Sequence, residues 1–591
     1  MSAYVLVHFI GEEKNGEQVY FSVSQDGLHF HDLNTGQPVL QSTIGEEGVR
    51  DPFLIRDAKH GKFYIIATDL RIEKGLGWEY AQEKGSRDII IWESTDLVYW
   101  EGPRAVSVGV PEAGNVWAPE AIYDEEKESF LVFWASKVDG KHRMYASYTA
   151  DFKGFSDPFV YMEKDRDVID STVAYENGYY YRFTKDETTS RIIMERAKNL
   201  TGIYENVSSP VLEELAGVEG PEIYQLPDGN TWCLIVDRFM EGKGYMILQS
   251  NHLSSGHFTV LDEEAYDFGQ HQKRHGGVLP ITTDEYQRLL RYYDQKNPVL
   301  PGLHADPDLV SFNGMFYLYP TTDGFTGWSG TSFKVFQSKD LDQFEDAVEI
   351  VQLTSDQVPW AVGSAWAPCI TSRNGYYYYY FCGKRPDGLS CIGMAQSSSP
   401  TGPFTAEAEP ILTPEMIDQY GLDMAQMIDP AIYEEAGEYY ILFGNGETGA
   451  IAKLTEDMAG IHEETIKNLR GLENFREAVT VLKRDNLYHF TWSCDDTGSE
   501  NYHVNYGVST SLYGPIEYKY PILTKNSAKH ILGTGHHSIL QIPGTDSFYI
   551  AYHRFGTPLE QFPEGKGYHR ETCISPLDFN QDGLMRPVIV D

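Results

Sequence analysis

The chain has 591 residues, too long for a single hydrophobic core, so at least two domains are expected. Its 87 acidic and 47 basic side chains leave a net charge of −40, a surface that repels phosphate backbones and anionic lipid and argues against nucleic-acid and membrane partners. No apolar stretch approaches the ~18 residues of a membrane span, and six cysteines without a CxxC pair read as buried free thiols in a reducing, cytoplasmic setting.

The first apolar run, in MSAYVLVHFIGEEKNG, lacks a basic leader and a small-residue cleavage site, and reads as a strand rather than a signal peptide. It opens a hairpin over residues 4–30. Beyond it, aromatic-rich alternating runs such as FYIIATDL, YYYYYFCG and FYIAYHRF, separated by Gly, Asp, Asn and Pro, predict antiparallel strands. A turn motif recurs: SQDGLHF (24–30), STDLVYW (94–100), SKDLDQF (338–344), SSSPTGPF (397–404) and STSLYGP (509–515). Its spacing, often about 50 residues, is that of a four-stranded propeller blade.

Three carboxylates then appear in order: Asp51 in VRDPFLIR, Asp170 in VIDSTVAY and Glu219 in VEGPEIYQ. After a helical stretch, DEYQRLLRYY (284–293), and a Pro/Gly-bearing boundary, QKNPVLPGLHADP, they return as Asp306 in HADPDLVS, Asp429 in MIDPAIYE and Glu477 in FREAVTVL. The gaps are 119 and 49 residues in the first set, 123 and 48 in the second. WAP travels with them at Trp117 and Trp366, and a Gly-flanked histidine at His275 and His536. The chain is an internal duplication that kept its acids.

The second copy supplies five blade starts, near Asp306, Trp366, Asp429, Glu477 and His536. The first supplies four after Asp51 and a short strand near 275–281, so the N-terminal hairpin is expected to complete its fifth blade and remove the sheet edge. The predicted fold is all-β, two five-bladed β-propellers in tandem over residues 1–290 and 297–591. A sandwich or barrel is the rival, disfavoured by the blade-length repeat.

HADPDLV with a downstream WAP, an IDP, a Glu before a strand and GTGHHS resembles glycoside hydrolase family 43, once per copy and over essentially the whole chain. The resemblance implies propellers whose inner strands present three carboxylates to a central pocket. It implies inverting release of terminal α-L-arabinofuranosyl or β-D-xylosyl residues, or internal cleavage of arabinan. By matching motif, Asp51 and Asp306 would be general bases, Glu219 and Glu477 general acids, and Asp170 and Asp429 the groups that tune and orient the acid.

The chemistry independently calls for such a set. One carboxylate must deprotonate water while a carboxylic acid, roughly 6.5–9.5 Å away, protonates the leaving oxygen. A third carboxylate nearby raises the acid's pKa by like-charge repulsion. Both copies depart from the family pattern. Arg50 stands where His-Ala precedes the second base, Ser171 follows Asp170, and Ala478-Val479 follow Glu477, with Glu473 its competitor. Arg50-Asp51-Pro52 also matches the RDP of fructan hydrolases, whose other motifs are missing.

Further candidates surround these acids. Trp117 and Trp366 read equally as sugar platforms or core. Trp328 and Trp360 are expected to rim the second pocket, Trp78 the first, and Arg182 to touch a sugar hydroxyl or the base. His275 and His536 resemble the channel histidine that in some members holds a hydrated calcium ion. The alternative is a histidine bonded within its own blade. No cofactor is otherwise required. The expected protein is a cytoplasmic exo-glycosidase with two active sites, acting on imported arabinoxylan- or arabinan-derived oligosaccharides. β-Xylosidase as the main activity, one propeller serving only to bind or pack, and a lectin-like protein are the alternatives.

Overall fold

A computed structural model describes residues 3–590 except 343, 345, 346, 354, 355 and 563–566. Two compact units emerge, Met1–Asp294 and Gln295–Asp591. Both are built from small antiparallel sheets, so the all-β expectation holds.

In the first unit, four sheets each run through four consecutive strands, beginning at Val49–Asp57, Trp117–Asp124, Val168–Glu176 and Glu219–Gln225. A fifth sheet draws on both ends of the unit. Ala3–Phe9 lies between Arg274–Ile281 and Tyr20–Ser24, with Val5 opposite Leu279 on one side and Val23 on the other. Its docking is hydrophobic: Tyr4, Leu6 and Phe30 pack with Tyr224, Cys233 and Ile235 of the neighbouring sheet. The strands 49–57, 117–124, 168–176, 219–225 and 274–281 touch in that order, and the last touches the first. Apolar faces meet between adjacent sheets, as where Ile66 and Ile91 pack with Val132 and Trp134. Truncating the fully buried Trp134 to Ala would cost about 3–5 kcal/mol.

The second unit repeats the arrangement. His304–Phe312, Trp366–Arg373, Ala431–Glu435, Glu477–Arg484 and Gly535–Gln541 each open a group of antiparallel strands, and these five also touch in a closed cycle. The third and fourth groups are joined where Asn445 pairs with Glu477. The last group has three strands, finishing with Phe548–Phe555 and Arg570–Leu577.

The inner strands share a device at their starts. Asp51, Ala118, Asp170 and Gly220 in the first unit, and Asp306, Ala367, Asp429, Ala478 and His536 in the second, all have positive φ between 36° and 59°. Ladder register slips at most of these points, for instance between Arg50 and Phe53 and between Glu477 and Thr480. Such a bulge adds one residue, bends the strand and re-aims a side chain. It also explains one departure from the family pattern. Gly220 and Ala478 occupy the same bulge, and only in the first unit does the His275 ring lie where a Cβ would sit, 2.7 Å away.

The recurrent turn motif has a local cause as well. Ser24, Ser94 and Ser338 accept hydrogen bonds from the backbone N–H of residues 27, 97 and 341 at 2.9, 3.0 and 3.2 Å. The helix Thr283–Tyr293 starts with a reciprocal capping box between Thr282 and Glu285. All six cysteines are buried and form no disulfide.

Candidate active site

In the second unit the three duplicated carboxylates converge on one pocket of about 140 Å3, walled by Trp328, Trp366 and Ile428. Asp306 is the most heavily solvated by protein groups. Its Oδ1 accepts from Arg570 Nη1 at 2.9 Å and faces His553 Nδ1 at 3.1 Å, while Oδ2 accepts from Thr321 Oγ1 at 2.8 Å. Burial works to raise its pKa, but Arg570, His536 and His553 hold it well below the usual carboxylate range. These partners favour the carboxylate form of Asp306.

Glu477 has the opposite setting. Its Oε1 accepts from the Tyr502 hydroxyl and its Oε2 from Asn445 Nδ2, each at 2.8 Å, so both close donors are neutral. Burial pushes its pKa up, and the charge of Asp306 adds to that, against the opposing pull of Tyr502 and Arg476. Burial likewise lifts Asp429 well above the usual range, with the charges of Glu477 and Asp306 contributing. Two buried, mutually repelling carboxyls keep a proton between them where an exposed pair would lose it.

The first unit brings Asp51, Asp170 and Glu219 together with different partners. Asp51 accepts from Thr68 Oγ1 at 2.8 Å and faces His275 Nδ1 at 3.4 Å. Against burial, the histidine and Arg50 lower its pKa. Asp170 accepts from the Gly220 amide at 3.2 Å, and burial with the charges of Glu219 and Asp51 raises it to about 6. Glu219, however, is gripped by Lys185 Nζ at 2.8 Å and Arg274 Nη2 at 3.0 Å.

Two sequence-based assignments are corrected. Trp360 does not rim the pocket: it is buried in the core, its ring stacked 6.1 Å from Phe381 and packed over Gly393. Arg182 does not reach the acids either. It pairs with Glu195 at 2.9 Å and lies between the rings of Tyr161 and Tyr204. Strand alternation is the reason: on the same strand it is Lys185, three residues on, that faces the site. Trp117, meanwhile, stands edge-on to Trp78 at 6.0 Å, and Trp366 donates through Nε1 to the Trp328 carbonyl at 2.6 Å, so each WAP tryptophan has an aromatic companion.

His275 sends Nδ1 toward Asp51 and Asp170 (3.9 Å) and Nε2 toward Glu120 (3.8 Å). Burial disfavours its charge, yet Asp170, Asp51 and Glu120 raise its pKa well above the ordinary value. Both ring nitrogens of His275 are thus turned to carboxylates. His536, whose pKa burial lowers, lies with Nδ1 3.5 Å from both Asp306 and Asp429. Among the described residues no group of three His, Cys, Asp or Glu is arranged around a metal position.

Residues 295–585 match glycosyl hydrolases family 43, and residues 1–287 match a related probable glycosyl hydrolase domain. The Beta-D-galactofuranosidase xynD of Aspergillus niger is 30% identical over 53% of this chain and 91% of its own length. The chain belongs to glycoside hydrolase family 43. It is a tandem family 43 protein and a glycoside hydrolase. A Xylosidase/arabinosidase of Bacteroides ovatus is 28% identical over 49% of the chain and 96% of its own length. The solved structure of CoXyl43, a family 43 β-xylosidase/α-arabinofuranosidase from a compost metagenome, covers 50% of the chain and 97% of its own at 24% identity and a TM-score of 0.42.

Family motifs did not point to Arg570, His553, Tyr502, Asn445, Lys185 or Arg274. One signal was available for Arg570: RETCISPL is wholly buried yet opens on two charged residues, which must find partners.

Proposed function

We propose that the second unit is an inverting exo-glycosidase that removes terminal α-L-arabinofuranosyl or β-D-xylosyl residues from arabinoxylan- or arabinan-derived oligosaccharides. The carrying observation is that Asp306 and Glu477 line one pocket with opposite electrostatic settings. Asp306, held ionised by Arg570, takes a proton from water as the water attacks the anomeric carbon. Glu477, kept protonated by burial and by Asp306, gives its proton to the leaving oxygen. Asp429 shares the proton balance of Glu477 and keeps it available. Trp328 and Trp366 present aromatic faces to the apolar side of the sugar.

The closed cycle of inner strands supports reading each unit as a five-bladed propeller, with the acids at the strand starts around its axis. The relatives, a galactofuranosidase and a xylosidase/arabinosidase, support a furanoside or pentoside as substrate. The second of these relatives favours a dual activity, with β-D-xylosides cleaved in the same pocket. Six reduced, buried thiols support a cytoplasmic site of action on imported oligosaccharides.

The test is hydrolysis of aryl α-L-arabinofuranoside and aryl β-D-xyloside, with the first-formed anomer followed by NMR. Inverted product from wild type, and loss of at least about 100-fold in Asp306→Asn, is expected. Retained configuration, or an Asp306→Asn chain as active as wild type on both substrates, would refute the assignment.

A further inference from the structure

The two units differ in the groups that donate hydrogen bonds to the acid of the acid–base pair. In the second unit Arg570 holds the base Asp306, and the donors on Glu477 are an amide and a phenol. In the first unit the donors on Glu219 are an ammonium and a guanidinium. Lys185 stands toward Glu219 as Asn445 stands toward Glu477: each lies at the end of the second strand of the preceding sheet, 2.8 Å from the acid. Arg274 takes the role of Tyr502. Both cations are fixed by further acids: Lys185 by Glu187 and Arg274 by Asp237. Burial opposes their charge, but Glu219 with Asp170, and Asp237 with Glu219, push the pKa of Lys185 and of Arg274 up, so neither leaves the site neutral.

A carboxylate held in two ion pairs is committed as an acceptor, which sets Glu219 against the donor role that Glu477 fills. Groups suited to a sugar remain in this unit. Trp78 is 42% exposed beside Trp117, with the Arg50 guanidinium 4.8 Å over its ring, and Asp51 and Asp170 remain as acceptors for sugar hydroxyls. We propose that the first unit binds a pentose-containing oligosaccharide of the class the second unit hydrolyses, and does not cleave it. The division of labour rests on the hydrolytic reading of the second unit; the two ion pairs on Glu219 do not.

The full chain carrying Asp306→Asn tests this. On both aryl glycosides its turnover should fall at least about 100-fold. Calorimetric titration of that chain with xylotriose and with arabinotriose should give, for one of them, one saccharide per unit. Adding Trp78→Ala, a change at an exposed side chain, should remove one of the two equivalents in a chain whose circular dichroism and thermal unfolding match those of the parent. Residual turnover that Glu219→Gln then abolishes would show a hydrolytic first unit and overturn the proposal. So would a stoichiometry that Trp78→Ala leaves unchanged. A wild-type chain inactive on every pentoside would sink the hydrolytic reading instead, while the stoichiometry still reports on the first unit.

Discussion

Arg570 bridges two buried carboxylates, reaching Asp306 Oδ1 with Nη1 at 2.9 Å and Asp323 Oδ2 with Nε at 2.9 Å. Its charge is the largest influence opposing burial at Asp306. A base with a depressed pKa is ionised throughout the working range, so the acidic limb of kcat/KM lies low. Arg570→Gln should move that limb to higher pH, because Asp306 then titrates closer to neutrality. It also strands Asp323 without its cation, at about 3–5 kcal/mol of stability. Arg570→Lys keeps the charge and should shift the limb less. A pH profile identical to wild type in Arg570→Gln would remove Arg570 from this role.

Glu477→Gln should discriminate between leaving groups. An oligosaccharide needs its departing oxygen protonated, so kcat should fall by about 100-fold or more. A dinitrophenyl glycoside departs as a stable anion and should lose far less. Equal losses on both substrates would show that Glu477 does something other than donate a proton.

Tyr502→Phe removes the hydroxyl 2.8 Å from Glu477 Oε1, a bond that stabilises the carboxylate and lowers its pKa. Without it the pKa of Glu477 rises further, and a general acid with a higher pKa stays protonated to higher pH. The alkaline limb of kcat/KM should therefore move up, with the acidic limb, set by Asp306, in place. An alkaline limb that moves down would contradict the geometry.

Asp308 offers a stability test away from the chemistry. Burial raises it to about 7, against one hydrogen bond from the Ile370 amide at 2.8 Å. A carboxyl whose folded pKa exceeds its unfolded value binds its proton more tightly when folded. Stability is then lost as pH rises from near 4 through about 7. Asp308→Asn cannot ionise and keeps an acceptor for the amide. Its advantage over wild type in urea unfolding should widen by about 2–3 kcal/mol between pH 5 and 8. A gap independent of pH would mean that solvent reaches Asp308.

The duplication, the strand-rich architecture and the convergence of Asp306, Asp429 and Glu477 were legible in the sequence, because motif spacing survives duplication and strand alternation is local. So was the N-terminal hairpin's need for a partner, since an unpaired edge strand of seven buried residues cannot stand alone. The failures have separate causes. Arg182 sits near the right motif, yet a pleated strand turns each neighbour to the opposite face, and no spacing rule says which face holds the pocket. Trp360 lies in a turn between strands, and the apolar core around Phe381 takes its ring. The electrostatics of each acid belong to the tertiary structure in the same way. Lys185 is 34 residues from Glu219, and Arg570 is 264 from Asp306. Only the folded sheets bring those charges within 3 Å, and it is the two cations hydrogen-bonded to Glu219, where Glu477 has an amide and a phenol, that distinguish two sites whose carboxylates look alike in sequence.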